Sequence, residues 1–438
     1  MEADPKLLEA PPQACRLPAL PRLRRMAAVV GSFASLNLLC RLLQMVAAFM
    51  IVRTLAKTEY AWYSLASNLI GALGMFTVTG ISTGLMPLAG EAVGDRLRMG
   101  AVLASASRFR QALLLFGSLA GIPVFAYTLL HSACSPLKTT VLVAAAVVSV
   151  VTAIASQMMA TPLSLAGRYN VPQWEALMNT LLRLLLVLAV IGAGMADSVW
   201  IMVVTVLAPL PTTFWWLLPK ARAHADFRQP PDPAVGKRLQ KHFLVGLPTS
   251  LTYLFEAQIA VFIVGWMGNI DKVADLGAIS RVALILQVPL AVASGILLPR
   301  MSAEQDPRRL WKMWTGCTLL SVVMGLLIVA CGWLLREPLL MLLGNEYAGL
   351  EKELVLYLAF QSFSFFVTVS GMPIQSKGWV RHSWLRPVLV FGCQALSALV
   401  LDLSTVSGAI GLMWAGSIGN TLMNVFLLVN GWRGRAGI

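Results

Sequence analysis

The chain has 438 residues, 58% of them hydrophobic and 12% charged, with a formal net charge of +14. A soluble globular chain carries roughly 25% charged residues, whereas apolar runs of about 20 residues, the length of a bilayer crossing, recur here from end to end. A soluble domain is thereby excluded. The lack of alternating ten-residue segments, about the length of a barrel strand, excludes a transmembrane barrel, and the basic excess reads as loop charge that sets topology, not as a nucleic-acid surface.

Residues 1–25 come first and are read as a disordered cytosolic tail. They are proline-rich and mixed in charge, without the apolar core and cleavage site of a secretory signal. Spans follow at roughly 26–52, 61–88, 108–130, 139–165, 172–194, 197–219, 243–268, 276–299, 314–335, 353–373, 384–403 and 405–430. The expected fold is an all-α polytopic membrane protein with about 12 transmembrane helices. Most of the 34 Lys and Arg residues fall in the tail, in loops after even spans, or at the C-terminus. The loops after odd spans hold only Arg53, Lys57, Lys138, Lys272, Arg281, Arg336 and Lys352. That asymmetry puts both termini in the cytoplasm.

The longest segment between spans, Lys220–His242, divides the chain into two lobes of six helices, 26–219 and 243–430. It is read as a cytoplasmic linker, with a second cytosolic tail at 431–438. The halves resemble each other weakly: Leu65-Ala-Ser pairs with Ala278-Ile-Ser, Pro87 with Pro299, and Glu91 with Glu304. Six spans return the chain to the same side, so the repeats are parallel. This is a layout of transporters that bind substrate at the repeat interface near the midplane.

Catalytic motifs give little. Gly80-Ile-Ser-Thr-Gly84 has the nucleophile-elbow spelling but lies inside an apolar helix, away from any histidine, and the strand–turn–helix context is missing. Its glycines, like Gly117 and Gly121, have the spacing for close helix contact. The six cysteines are scattered without a metal or disulfide pattern, and no nucleotide-binding motif is present. The chain is therefore not read as an enzyme, and no cofactor or metal is expected beyond a coupling ion.

The informative residues are ionisable groups in mid-span, which are costly in a bilayer and mark interiors or substrate paths. They are Arg41, Arg183 and Glu256. Asn37 and Gln44 share the helix face of Arg41, and Asn179 is one turn from Arg183. Arginine suits phosphate because its planar fork stays charged and binds two oxygens. The expected site is an anion-binding, cation-lined cavity with Glu256 as its acidic member and ion-coupling group. The charge state of Glu256 would decide whether an arginine is paired to the protein or free for phosphate. The plainer alternative is a static Arg–Glu bridge between the lobes.

Arg53-Thr-Leu-Ala-Lys-Thr-Glu-Tyr-Ala-Trp-Tyr-Ser-Leu-Ala, with Gly84-Leu-Met-Pro beyond it, resembles the corresponding region of bacterial polysaccharide flippases of the Wzx (O-antigen) type, in the multidrug/oligosaccharidyl-lipid/polysaccharide superfamily. Ala61 stands where that family often has glycine. The resemblance implies a MATE-like pair of six-helix lobes, alternating access, and transfer of undecaprenyl-diphosphate-linked oligosaccharide across the bacterial inner membrane. It also implies coupling to H+ or Na+, contact with membrane lipids, and work beside polysaccharide polymerase machinery in lipopolysaccharide assembly. A multidrug cation exporter of the same superfamily and a membrane-embedded enzyme of the polysaccharide pathway are the alternatives.

Overall fold

The computed structural model describes residues 20–436 apart from 169, 267–269, 294–296, 299–300, 302–303, 305, 378 and 380–381. All regular structure among these residues is helical. Every expected span overlaps a helix. The first half comprises α1 (Leu20–Thr54), α2 (Lys57–Glu91), α3 (Arg96–His131), α4 (Pro136–Leu165), α5 (Asn170–Gly192) and α6 (Ser198–Ala221). The second half comprises α7 (Pro233–Trp266), α8 (Ile270–Val282), the short α9 (Gln287–Val292), α10 (Pro307–Leu334), the short α11 (Arg336–Leu343), α12 (Glu351–Lys377), α13 (Arg386–Ala398) and α14 (Val406–Ala436). Eight helices among the described residues are long and apolar enough to cross a membrane. Most of the expected tail, residues 1–19, lies outside the described residues.

Helix starts follow local chemistry. Asp95, Ser135, Asp197 and Asp306 accept backbone N–H groups at the starts of α3, α4, α6 and α10, and Pro136 and Pro307 follow their caps, where a missing N–H costs nothing. Within α6, Pro209 and Pro211 remove two donors, and the chain widens into a π-helical turn at Thr212–Leu217. The freed geometry aims the Thr212 and Thr213 hydroxyls at buried Glu175, at 3.1 and 3.3 Å. A 3-10 turn, Ala283–Leu286, separates α8 from α9.

The 220–242 segment is more ordered than a linker. α7 begins at Pro233, and the strand of chain before it is fastened to α3. Asp226 N donates to Arg96 O at 3.0 Å, while Ser105 and Asp232 exchange hydrogen bonds at 2.7 and 3.1 Å. Gly100 makes this possible, since any Cβ there would collide with the Asp226 carbonyl.

The main apolar core runs through both halves, drawing on α2, α3, α4, α7 and α8. α2 packs along α7, and its upper part meets α8. Between the halves, Ser64 comes so close to Gly277 that a β-carbon there would clash. Those two residues are equivalent in the register that pairs Leu65 with Ala278, so the halves touch at matching positions, as they do across a two-fold axis.

Candidate functional site

The face of α1 that carries Arg41 lies on α5. Arg41 Nη1 donates to Gln44 Oε1 at 3.0 Å, and Gln44 Nε2 donates to Thr180 Oγ1 at 3.4 Å. Asn37, one turn earlier, buries its side-chain oxygen without a hydrogen-bond partner. Arg183, further along α5, reaches across to α2, where its Nη2 donates to Tyr63 OH at 2.7 Å. Asn179 is half-buried one turn before it. The structure thus brings Asn37, Arg41, Gln44, Asn179 and Arg183 onto neighbouring faces of α1 and α5.

Tyr63 leads into a seam that the sequence reading missed. It lies in the field of both Arg183 and Arg281. Arg281 Nε donates to Tyr60 OH at 3.4 Å, and its charge also acts on Tyr357 of α12, whose hydroxyl accepts from Gln361 Nε2 at 2.9 Å. Two arginines and three tyrosines therefore run from the first half into the second. Arg281 was expected to be a loop charge near the start of a span. It is instead about 17 Å along α8, because that helix begins at Ile270 with a polar turn that hydropathy overlooks. Arg110 and Arg386, also expected in loops, are buried as well: Arg110 bonds Gln157 Oε1 at 2.6 Å, some 21 Å into α3.

Above the seam, at the end where α1 gives way to α2 and α8 begins, the halves are latched. Lys57 Nζ pairs with buried Asp275 at 2.8 Å, and Lys272 adds a contact at 3.6 Å. The Tyr347 ring meets Tyr60 edge-on at 6.4 Å, with Lys57 5.7 Å over its face. Beside it Lys138 joins Glu59 at 2.6 Å and Asp197 at 2.8 Å, tying α2, α4 and the start of α6.

Glu256 corrects one expectation. It meets neither Arg41 nor Arg183 among the described contacts. It accepts from Asn420 Nδ2 and, at 3.3 Å, from Ser417 Oγ, both on α14. The Asn420 carbonyl oxygen accepts from Arg386 Nη1 at 2.7 Å, and Arg386 Nη2 donates to Asn424 Oδ1 at 3.0 Å. Arg386 is the arginine whose charge reaches Glu256, and Asn420 is the bridge between them. Gly416 lets α7 and α14 approach here, since a β-carbon would stand 2.9 Å from Glu256 Cγ. The signal was present in the sequence: Ser417, Asn420 and Asn424 share one face of the last span.

Solved structures share this architecture. An inward-facing multidrug resistance transporter of the MATE family, in the MOP superfamily, aligns with a TM-score of 0.68 at 14% identity, over 91% of this chain and 95% of that one. The lipid II flippase MurJ in an inward closed conformation aligns at 0.65 and 14% identity, over 91% and 87%. An outward-facing MATE transporter aligns at 0.64 and 17%, over 93% and 95%. The chain has the fold these transporters share. No protein-family model matches the sequence, and a search of curated proteins finds no match.

Proposed function

We propose that the protein is a flippase that carries undecaprenyl-diphosphate-linked oligosaccharide, an O-antigen or other polysaccharide repeat unit, across the bacterial inner membrane by ion-coupled alternating access. The observation that carries this reading is the uncompensated charge at the seam. Arg41, Arg183 and Arg281 sit at or beside the junction of the halves, and no described ion pair involves any of them. Each is half-buried; a cation held within a span without a counter-ion is costly, and a diphosphate supplies the missing charge in a form that arginine binds with two oxygens. The fold shared with a lipid II flippase supports a lipid-linked cargo.

In this reading about twelve crossings form two parallel lobes with both termini cytoplasmic, so the latched end faces the periplasm and the cargo enters from the cytoplasmic side. Asn37, Gln44 and Asn179 offer neutral polar groups to the sugar beside the diphosphate. H+ or Na+ acts at Glu256, through the Asn420–Arg386 network of the second lobe and not by direct exchange with a cargo-binding arginine. Opening requires Lys57 to leave Asp275 and Tyr60 to leave Arg281. The released cargo passes to polysaccharide polymerase machinery.

The test is flipping of a prenyl-diphosphate saccharide in proteoliposomes. Arg41→Ala, Arg183→Ala and Arg281→Ala are each expected to abolish it in a protein that still inserts and folds, with the lysine variants recovering part. Normal flipping by all three alanine variants overturns the reading. Saturable uptake of organic cations in place of the saccharide turns it toward the drug exporter, whose MATE fold is also shared.

A further inference from the structure

We propose that the second half carries a binding site for an anionic glycerophospholipid, with an acyl chain in a tryptophan-lined groove between α10, α12 and α14 and the phosphate held by Arg308 and Lys312. The groove is at the end of the molecule opposite the latch and shares no residue with the arginine–tyrosine seam.

The apolar interior is divided at this end. One cluster gathers around Met301, Leu310, Phe365 and Met372, another around Ile374, Met423 and Leu427. Between them runs a groove of about 710 Å³, lined by Leu310, Trp311 and Trp314 on one side and by Trp379, Val425 and Leu428 on the other. The groove is apolar and open on one side, not an enclosed void. Trp311 and Val425 are exposed where the groove opens sideways, and α10 is the least enclosed of the eight apolar spans. In a membrane the medium beside such an opening is acyl chain.

The walls are fixed. Pro373 cannot donate into the helix, and Ile374 and Gln375 bond back to Gly371, so the Ser370 carbonyl is left out of the helical ladder. Trp314 Nε1 donates to that carbonyl at 3.0 Å. Trp311 packs on Trp314 with ring centres 4.6 Å apart. Trp379 lies on Gly431, where any β-carbon would strike its ring. An interfacial tryptophan anchor keeps its N–H at the headgroups; Trp314 instead turns its N–H into the protein and presents its ring to the groove.

The charge defines the lipid. Arg308 and Lys312 are four residues apart on one face of the first turns of α10, and both border the groove. No described ion pair involves either; the nearby Asp306 pairs with Arg309 at 3.6 Å. Two cations at the mouth of an apolar slot complement a phosphate on a hydrocarbon tail. This is also the end where the sequence concentrates its basic residues, facing the leaflet whose anionic lipids attract them.

The experiment is native mass spectrometry of the delipidated full-length protein titrated separately with phosphatidylglycerol and phosphatidylcholine. Phosphatidylglycerol is expected to bind saturably and more tightly. Arg308→Gln/Lys312→Gln is expected to weaken it about thirty-fold while leaving phosphatidylcholine unchanged. Trp311→Ala is expected to weaken both lipids, and Trp311→Phe to restore most of the loss. Both cations are exposed, so thermal melting of the double variant is expected to match the parent. Equal binding of the two lipids, or undiminished phosphatidylglycerol binding by the double variant, overturns the proposal. So does saturable binding of a prenyl diphosphate at this groove without phosphatidylglycerol binding, which would assign the groove to the cargo's tail.

Discussion

The two halves share a helical plan and partner the charges within their helices in different ways. In the second half Glu256 and Arg386 are joined through Asn420 and enclosed by Ser417 and Asn424. In the first half Arg41 and Arg183 rest on neutral partners, Gln44 and Tyr63, and Arg281 joins them from across the junction. A closed network satisfies itself and reports on stability and protonation. An open cationic seam, in the proposed reading, takes an anion and reports on cargo. In the proposed reading the ion-responsive Glu256 lies inside the second lobe, while the cargo-binding arginines lie in the first lobe and, with Arg281, at the junction, so the two communicate through lobe movement and not by direct contact.

The strongest way to break the contrast is to swap its consequences. Arg281→Gln is expected to cut flipping at least about tenfold, the loss of one charged hydrogen bond to the cargo, with a smaller change in melting than Arg386→Ala, because Tyr63 keeps Arg183 and Tyr357 keeps Gln361 and only Tyr60 loses its described partner. Arg386→Ala is expected to do the reverse at the level of the fold. It leaves Asn420 and Asn424 with buried unpaired carbonyls beside Glu256 and destabilises by about 3 kcal/mol in chemical unfolding. If Arg281→Gln unfolds the protein and Arg386→Ala only lowers transport, the assignment of the two regions is inverted. Glu256→Gln sharpens the same point: it keeps size and hydrogen bonding, so the protein should remain folded and bind cargo, yet no longer respond to an imposed proton or sodium gradient.

A smaller effect is expected at the latch. Gly277→Leu cannot approach Ser64, so the upper ends should stay apart. Spin labels at Thr58 and Asp271 are expected to report a longer distance than in the parent, and an unchanged distance removes the Ser64–Gly277 contact from the closing motion. The smallest effect concerns Asp197. Burial alone would raise its carboxyl, but Lys138 and the Val199 N–H hold it at about 2. A carboxylate held below its unfolded value stabilises the fold above that value, roughly pH 4, and loses the contribution as pH falls toward 2. The group is about a third exposed, which screens the pair. Asp197→Asn is therefore expected to cost only about 1 kcal/mol at neutral pH, and the difference from the parent should vanish near pH 2. A difference that persists there would mean that the amide disrupts the α6 cap instead.

Much of the fold could be read in the sequence because a bilayer imposes a length and an apolarity that few other structures share. Depth was harder to read. α3 and α8 begin with polar turns, Arg96-Leu-Arg and Ile270-Asp-Lys, that extend past the apolar window, so Arg110 and Arg281 looked like loop charges although the helices carry them inside. Arg386 was misplaced for a related reason: it opens α13 at a membrane edge, and its burial depends on Asn420 and Asn424 from another helix. Partnership across helices leaves only a weak trace. Arg41 and Gln44 were legible as neighbours because one helix fixes their spacing. The partner of Glu256 depends on how α7 and α14 rotate against each other, which Gly416 permits but no periodicity states.

The most direct test of the cationic seam is equilibrium binding to the purified full-length protein of two lipids that differ in the diphosphate: a prenyl-diphosphate saccharide and the same saccharide on an uncharged prenyl ether. The account expects the diphosphate to bind at least about tenfold more tightly, with that advantage lost in Arg183→Gln/Arg281→Gln and kept in Glu256→Gln. Equal affinity for the two lipids in the parent protein, or a charge preference untouched by removing both arginines, would contradict it.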